Sequence, residues 1–128
     1  MRLLLDSHAF LWFTWNHKNL SQIARAAIID PTNEMLLSIA SCWEIAIKVG
    51  VGKLTLTEPI DVFLPGAIAD NGLTVLPVEL RHVLTLERLP LHHRDPFDRI
   101  LIAQAIVEQV AIVSNDKAFD SYPVTRIW

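Results

Sequence analysis

His92-His93-Arg94-Asp95-Pro96-Phe97-Asp98-Arg99, running directly into Ile100-Leu101-Ile102-Ala103-Gln104-Ala105, is the stretch from which the fold can be read. Pro96 suits the first turn of a helix, where its missing N–H costs nothing, and Asp95 before it is a good N-cap. From Phe97 to Val110 the chain is apolar on nearly every side, the pattern of a helix buried between other layers. Yet Asp95 and Asp98 stand three residues apart and so share one helix face. So apolar a helix gains by a charge in its first turn only if something there answers it. Either the helix dipole and a neighbouring Arg suffice, or a cation is bound.

Working outward, short apolar runs alternate with helical ones. Arg2 to Leu5 reads as a buried strand ending at Asp6, and residues 9–15 as an apolar helix crowded with aromatics. His8 and His17 flank it as surface or cap histidines. Ser21 caps a second helix that stops before Asp30-Pro31. A second strand over 34–39 leads to a helix opened by Ser41 and ended near Gly50. Residues 51–57 form a connection. Pro59 starts a helix that Pro65-Gly66 should break or kink, and Asn71-Gly72 makes a turn. A third strand over 73–78 carries Pro77, which suggests an edge or the strand's end. The next helix, 79–89, has His82 and Arg88 on its polar side. After the opening stretch come a fourth buried strand (110–114), Asn115-Asp116, a helical turn at 117–120 and a last strand at 124–127. Such alternation calls for an α/β fold in which a parallel sheet is covered on both faces.

With 128 residues the chain has the length of one domain, and 52% hydrophobic against 20% charged residues makes it globular. No apolar run approaches the roughly 18 residues of a membrane span, and Asp6 interrupts the N-terminal apolar run too early for a signal peptide. A single Cys42 fits a reducing compartment, so a cytoplasmic location is expected. A net charge of −3 excludes a protein that coats DNA through a basic surface, but not a nuclease working through metal ions and a few local cations.

The acids then count together. Asp6 and Asp116 follow apolar strands, and Glu44 and Asp98 lie near the starts of helices. In a parallel sheet these positions converge on one end, outside the carboxyl ends of the strands. Each has a plain structural reading: Asp6 caps a helix, and Glu44 pairs with Lys48 at i,i+4. Together they form a carboxylate set whose repulsion, if buried unpaired, would cost several kcal/mol. Oxygen donors of this kind suit Mg²⁺ or Mn²⁺ rather than zinc, and such clusters hydrolyse phosphodiesters. A phosphatase using Asp6 as nucleophile is a second reading, weakened by His8 where a second Asp would stand.

The segments Leu3-Leu4-Leu5-Asp6-Ser7-His8, Ser41-Cys42-Trp43-Glu44-Ile45, His93 to Arg99 with Ala103-Gln104-Ala105, and Ile112-Val113-Ser114-Asn115-Asp116 resemble the PIN-domain ribonucleases. Within these they look like the VapC-type toxins of bacterial toxin–antitoxin pairs. The resemblance spans the chain as one PIN domain, residues 1–128. It implies a three-layer α/β/α sandwich around a mainly parallel five-stranded sheet. It also implies an Mg²⁺-dependent endoribonuclease acting on transfer or ribosomal RNA, a homodimer, and a VapB-type antitoxin that blocks the site. The family's acids fall on Asp6, Glu44, Asp98 and Asp116, with Asp6, Asp98 and Asp116 as metal ligands. Asp95, Ser7, Ser114, Arg94 and Arg99 are further candidates. The two arginines either hold a phosphate or pair with Asp95 and Asp98. Arg25, Lys48 and Lys53 lie either on an RNA track or on a solvated face. A PIN-like domain that only binds a partner is the non-enzymatic alternative, and the presence of all four acids argues against it.

Overall fold

The computed structural model describes residues 1–128 and places five strands in one all-parallel sheet, in the order β3-β2-β1-β4-β5. The strands are β1 (Arg2–Leu5), β2 (Glu34–Ser38), β3 (Thr74–Leu76), β4 (Ala111–Val113) and β5 (Arg126–Ile127). β1 lies at the centre, with Leu4 opposite Leu36 on one side and Ile112 on the other.

Side chains alternate across a strand, and β1 separates two cores by that rule. Leu3 and Leu5 face a cluster that includes Phe10, Ala24, Ile45 and Phe63. These residues come from α1 (Ser7–Thr14), α2 (Gln22–Ile29), α3 (Ile39–Gly50) and α4 (Ile60–Asp70). Leu4 faces the other way, onto Leu101, Ile102 and Ala105 of α6 (Pro96–Glu108) and onto Phe119 of a short 3-10 helix (Lys117–Ser121). α5 (Leu80–Leu86) packs on α6. The result is the three-layer α/β/α arrangement, and α6 is the buried helix that its composition calls for: Ile100 to Ala105 are all buried. No helix is long and apolar enough to cross a membrane.

Several local expectations need correction. α3 begins at Ile39, not at Ser41, because Ser38 at the end of β2 already caps it: its Oγ accepts the Ala40 N–H at 3.0 Å. Ser41 is instead buried inside the helix. Pro65 does not break α4, which runs through it. The packing of Phe63 and Ala67 against the sheet outweighs the hydrogen bond that Pro65 removes. The third strand spans only Thr74–Leu76, at the sheet edge as Pro77 suggests. His82 is not on a polar side. It is fully buried, and its Nδ1 accepts the Glu79 N–H at 2.9 Å, closing the first turn of α5.

The strand order fixes where a site can form. The chain moves from β1 outward through β2 to β3, then crosses back to place β4 on the other side of β1. Connections leaving β1 and β4 therefore diverge, and a crevice opens beyond their carboxyl ends. Because Leu4 fills both the sheet centre and the α6 interface, Leu4→Ala should cost about 2–5 kcal/mol. Ile39→Ala, at a residue 47% exposed, should cost little. Chemical denaturation of the two variants checks the contrast.

Candidate active site

Asp6 leaves the sheet at the switch point. Its backbone N–H still bonds Val113 O at 3.1 Å, while its Oδ1 caps α1 by accepting the Ala9 N–H at 2.7 Å. Across the crevice Asp116 follows β4 and caps the 3-10 helix, accepting the Ala118 N–H at 2.9 Å. The Ser114 Oγ accepts the Asp116 N–H at 3.0 Å and shapes that turn. α6 enters from the third side. Asp95 Oδ1 accepts the N–H groups of Phe97 at 2.8 Å and Asp98 at 3.2 Å, so it is the N-cap, and Asp98 projects from the first turn. α3 closes the fourth side with Glu44, whose Oε1 accepts the Ser7 hydroxyl at 2.6 Å and whose Oε2 lies 3.0 Å from Lys48 Nζ. Asp6, Ser7, Glu44, Asp95, Asp98 and Asp116 all line one cavity of about 390 Å³ that has no hydrophobic wall.

The electrostatics of this cavity are uneven. Burial pushes the Asp6 carboxyl up, with Glu44 adding to it, against the Ser114 hydroxyl and the Ala9 N–H. Asp98 is pushed up to about 7, first by burial, then by the charges of Asp95, Glu44 and Asp6, with His93 opposing them. For Asp116 burial works upward, but the Ala118 N–H, His93 and Arg126 together hold it below its ordinary value. Neighbouring carboxylates are thus driven to different protonation states, as expected where negative charge exceeds local compensation.

His93 is the residue that sequence reasoning did not assign. Its Nδ1 accepts the Asp95 N–H at 3.2 Å, which leaves the ring proton on Nε2. Nε2 stands 3.0 Å from Asp98 Oδ2 and 3.0 Å from Asp116 Oδ2. Two carboxylate oxygens from α6 and β4 therefore converge on one N–H. The sequence signal was adjacency to Asp95 alone, because only the fold brings Asp116 within reach. His8, Asn115 and Lys117 also line the cavity.

The arginines behave otherwise than expected. Arg99 neither faces the cavity nor pairs with Asp95 or Asp98. Its guanidinium donates to the carbonyls of Pro90, Leu86 and Leu89 at 3.0, 3.3 and 3.3 Å, to His93 O at 3.4 Å and to Tyr122 Oη at 3.3 Å. Tyr122 Oη in turn accepts the His92 and His93 N–H groups at 3.0 and 2.8 Å and donates to Pro90 O at 2.8 Å. The pair holds the loop that carries His93. Arg94 is exposed and joins no ion pair, so of its two readings the pairing with Asp95 or Asp98 is absent.

The donor set suits a hard divalent cation. Asp6, Asp98 and Asp116 offer carboxylate oxygens, and those of Asp98 and Asp116 already converge on a common point. His93 Nε2 is close enough to join them, but with Nδ1 accepting an N–H it carries a proton and is no ligand in this arrangement.

Three kinds of comparison bear on this geometry. A family model described as PIN domain matches residues 3–124. Ribonuclease VapC16 of Mycobacterium tuberculosis is 41% identical over 58 residues, and that match spans 45% of this chain but only 41% of the relative. A chain in the crystal structure of VapBC2 from Rickettsia felis bound to a promoter DNA fragment superimposes with a TM-score of 0.73 at 15% identity, over 98% of this chain and 97% of that one. DNA-bound VapBC from Salmonella typhimurium gives 0.71 at 18% identity, over 98% and 96% of the two chains. FitAcB from Neisseria gonorrhoeae gives 0.62 at 15%, over 97% and 95%. At these identities the structural likeness speaks for the fold.

The raised Asp98 carboxyl has a consequence for stability. Its folded-state value of about 7 lies above its ordinary 3.8, so between these pH values the folded state holds the proton more tightly than the unfolded state. Stability from this group is therefore greatest below pH ~4 and declines as pH rises towards ~7. In EDTA, Asp98→Asn should melt at a higher temperature than wild type at pH 8, with the gap shrinking at pH 5. Thermal melts of both proteins at the two pH values check this.

Proposed function

Because the chain belongs to the PIN domain family, we propose that it is a divalent-metal-dependent endoribonuclease and the toxin of a VapC-type toxin–antitoxin pair. The observation that carries this reading is the meeting of Asp6, Glu44, Asp98 and Asp116 on one polar cavity at the switch point of the sheet. The partial identity to Ribonuclease VapC16 and the likeness to VapBC assemblies support the same reading. The substrate is cellular RNA, transfer or ribosomal. The location is the cytoplasm, and the partners are a VapB-type antitoxin and a second copy of the chain. Ile39, Trp43, Ile47 and Val51 repeat every four residues as exposed apolar side chains along and just beyond α3, which suits a surface that a protein partner covers.

Asp6, Asp98 and Asp116 would hold Mg²⁺, or Mn²⁺ in its place. When bound, such an ion makes a nucleophilic water available at neutral pH and offsets negative charge on the phosphoryl oxygens. The remaining side chains have positioning work. Asp95 fixes the first turn of α6 and thereby Asp98. Ser114 sets the turn that presents Asp116. Glu44, tied to Ser7 and Lys48, is fixed by both of its oxygens and orients groups at the cavity mouth.

The two acids of α6 separate in a test. Asn is a good N-cap, so Asp95→Asn should keep the fold and much of the activity. Asp98→Asn removes a ligand charge while keeping the shape, so RNA cleavage in Mg²⁺ should fall by orders of magnitude. Cleavage by the wild type should vanish in EDTA. An Asp95→Asn protein that is dead beside an active Asp98→Asn protein would reverse the two roles. Wild-type cleavage that persists in EDTA would remove the metal from the account.

A further inference from the structure

Beside the carboxylate cavity, two lysines are brought together by a backbone device. Two residues beyond the end of α3, Gly52 takes the left-handed region at φ +78. The Gly52 N–H bonds Val49 O at 3.2 Å and the Lys53 N–H bonds Lys48 O at 2.8 Å. This is the paired closure that turns a chain sharply back at a helix C-terminus. A residue with a Cβ is strained at that φ, which explains Gly52 even though the space around it is open. The turn brings Lys53 back beside Lys48, and the two lysines then line the same two cavities. Lys48 also reaches the carboxylate cavity, through Glu44. Lys53 enters no ion pair in the molecule and is exposed.

The larger of these side cavities, about 240 Å³, lies between α1 and α3 and shares Ser7, His8 and Lys48 with the carboxylate cavity. Its wall is formed by Leu11, Trp12 and Trp15 of α1 and its flank, with the lysines at the rim. Trp12 is already packed by His8, His17 and Trp128, so Trp15, 39% exposed, supplies the face on which a base can stack while its phosphate sits against the ammonium groups. A polyanion approaching a cavity of carboxylates in a chain of net charge −3 also needs such local cations to be held there.

We propose that the groove between α1 and α3 is a nucleotide subsite for single-stranded RNA, with the base against Trp15 and the adjoining phosphate on Lys48 and Lys53. The assignment rests on the ribonuclease reading for its substrate class. The space takes one base and not a duplex, so the strand enters unpaired. Lys53 is a positioning residue, and it sets affinity for RNA rather than the chemical step. Lys48 shares that work but is bound up with Glu44, so Lys53 is the clean probe.

The experiment compares wild type, Lys53→Gln and Lys53→Arg in cleavage of a single-stranded RNA oligonucleotide in Mg²⁺. In parallel, the same Lys53 changes are made in the Asp98→Asn protein, and equilibrium binding of that labelled RNA is followed over a range of salt. Lys53→Gln should raise KM and the dissociation constant severalfold at unchanged kcat, and should lower the salt slope of binding by about one. Lys53→Arg should restore most of the affinity, and Trp15→Leu should weaken binding without changing the salt slope. The proposal is overturned if Lys53→Gln binds RNA like its parent at every salt concentration, or if its loss appears in kcat alone. It is also overturned if the Lys53 variants differ only in binding a partner polypeptide, which would make the groove a protein-docking surface. A wild type that cleaves no RNA in Mg²⁺ would defeat the ribonuclease reading by itself, while the salt-resolved binding arm still decides the subsite.

Discussion

Mutual repulsion among carboxylates is what the rest of this molecule is built to withstand. Asp98 sits in the first turn of a helix whose next residues are fully packed, with the charges of Asp95, Glu44 and Asp6 around it. Left to relax, such a set would splay apart or stay protonated. Backbone anchoring of the acids prevents the first, and Asp98, pushed up to about 7, takes the second. Asp6 and Asp116 leave adjacent parallel strands, and Asp95 and Asp98 are locked by the capping of α6. The hydrophobic layers on both faces of β1 supply the stability that holds this geometry. What remains uncompensated is available to a cation.

The anchoring extends to residues that touch no ligand. Arg99 and Tyr122 spend their hydrogen bonds on the carbonyls and N–H groups around residues 86–93. That loop carries His93, whose Nε2 proton stands between Asp98 and Asp116. A hydrogen-bond donor is therefore present at the junction of two acids from different layers. An arginine that looks from the sequence like a phosphate ligand is in fact the brace of the loop beside it.

Much of the framework was legible from composition and periodicity. Apolar runs ending in acids identify the strands, and the buried character of α6 follows from its apolar residues on every side. Where reading failed, the cause was context that local rules do not carry. Ser41 and Ser38 are equally good caps in isolation, and only the end of β2 decides for Ser38. Pro65 breaks isolated helices, but α4 is held by its packing on the sheet. His82 belongs with the polar residues by type, yet its ring serves the backbone of its own helix. For the site, the placement of Asp6, Glu44, Asp98 and Asp116 on one edge follows from strand alternation. The bridging position of His93 and the outward turn of Arg99 depend on contacts across 23 residues of chain, which no local pattern encodes.

The central property proposed for this carboxylate set is that it binds a divalent cation at the expense of a proton. Titrating Mn²⁺ into the protein by calorimetry at pH 6, in two buffers of different ionisation heat, measures both quantities at once. Asp98, pushed up to about 7, is largely protonated at that pH and must ionise to serve as a ligand. Saturable binding with release of about one proton per ion, falling towards none above pH 8, is the predicted result. Absence of binding at millimolar Mn²⁺, or binding with no proton release at pH 6, would contradict it.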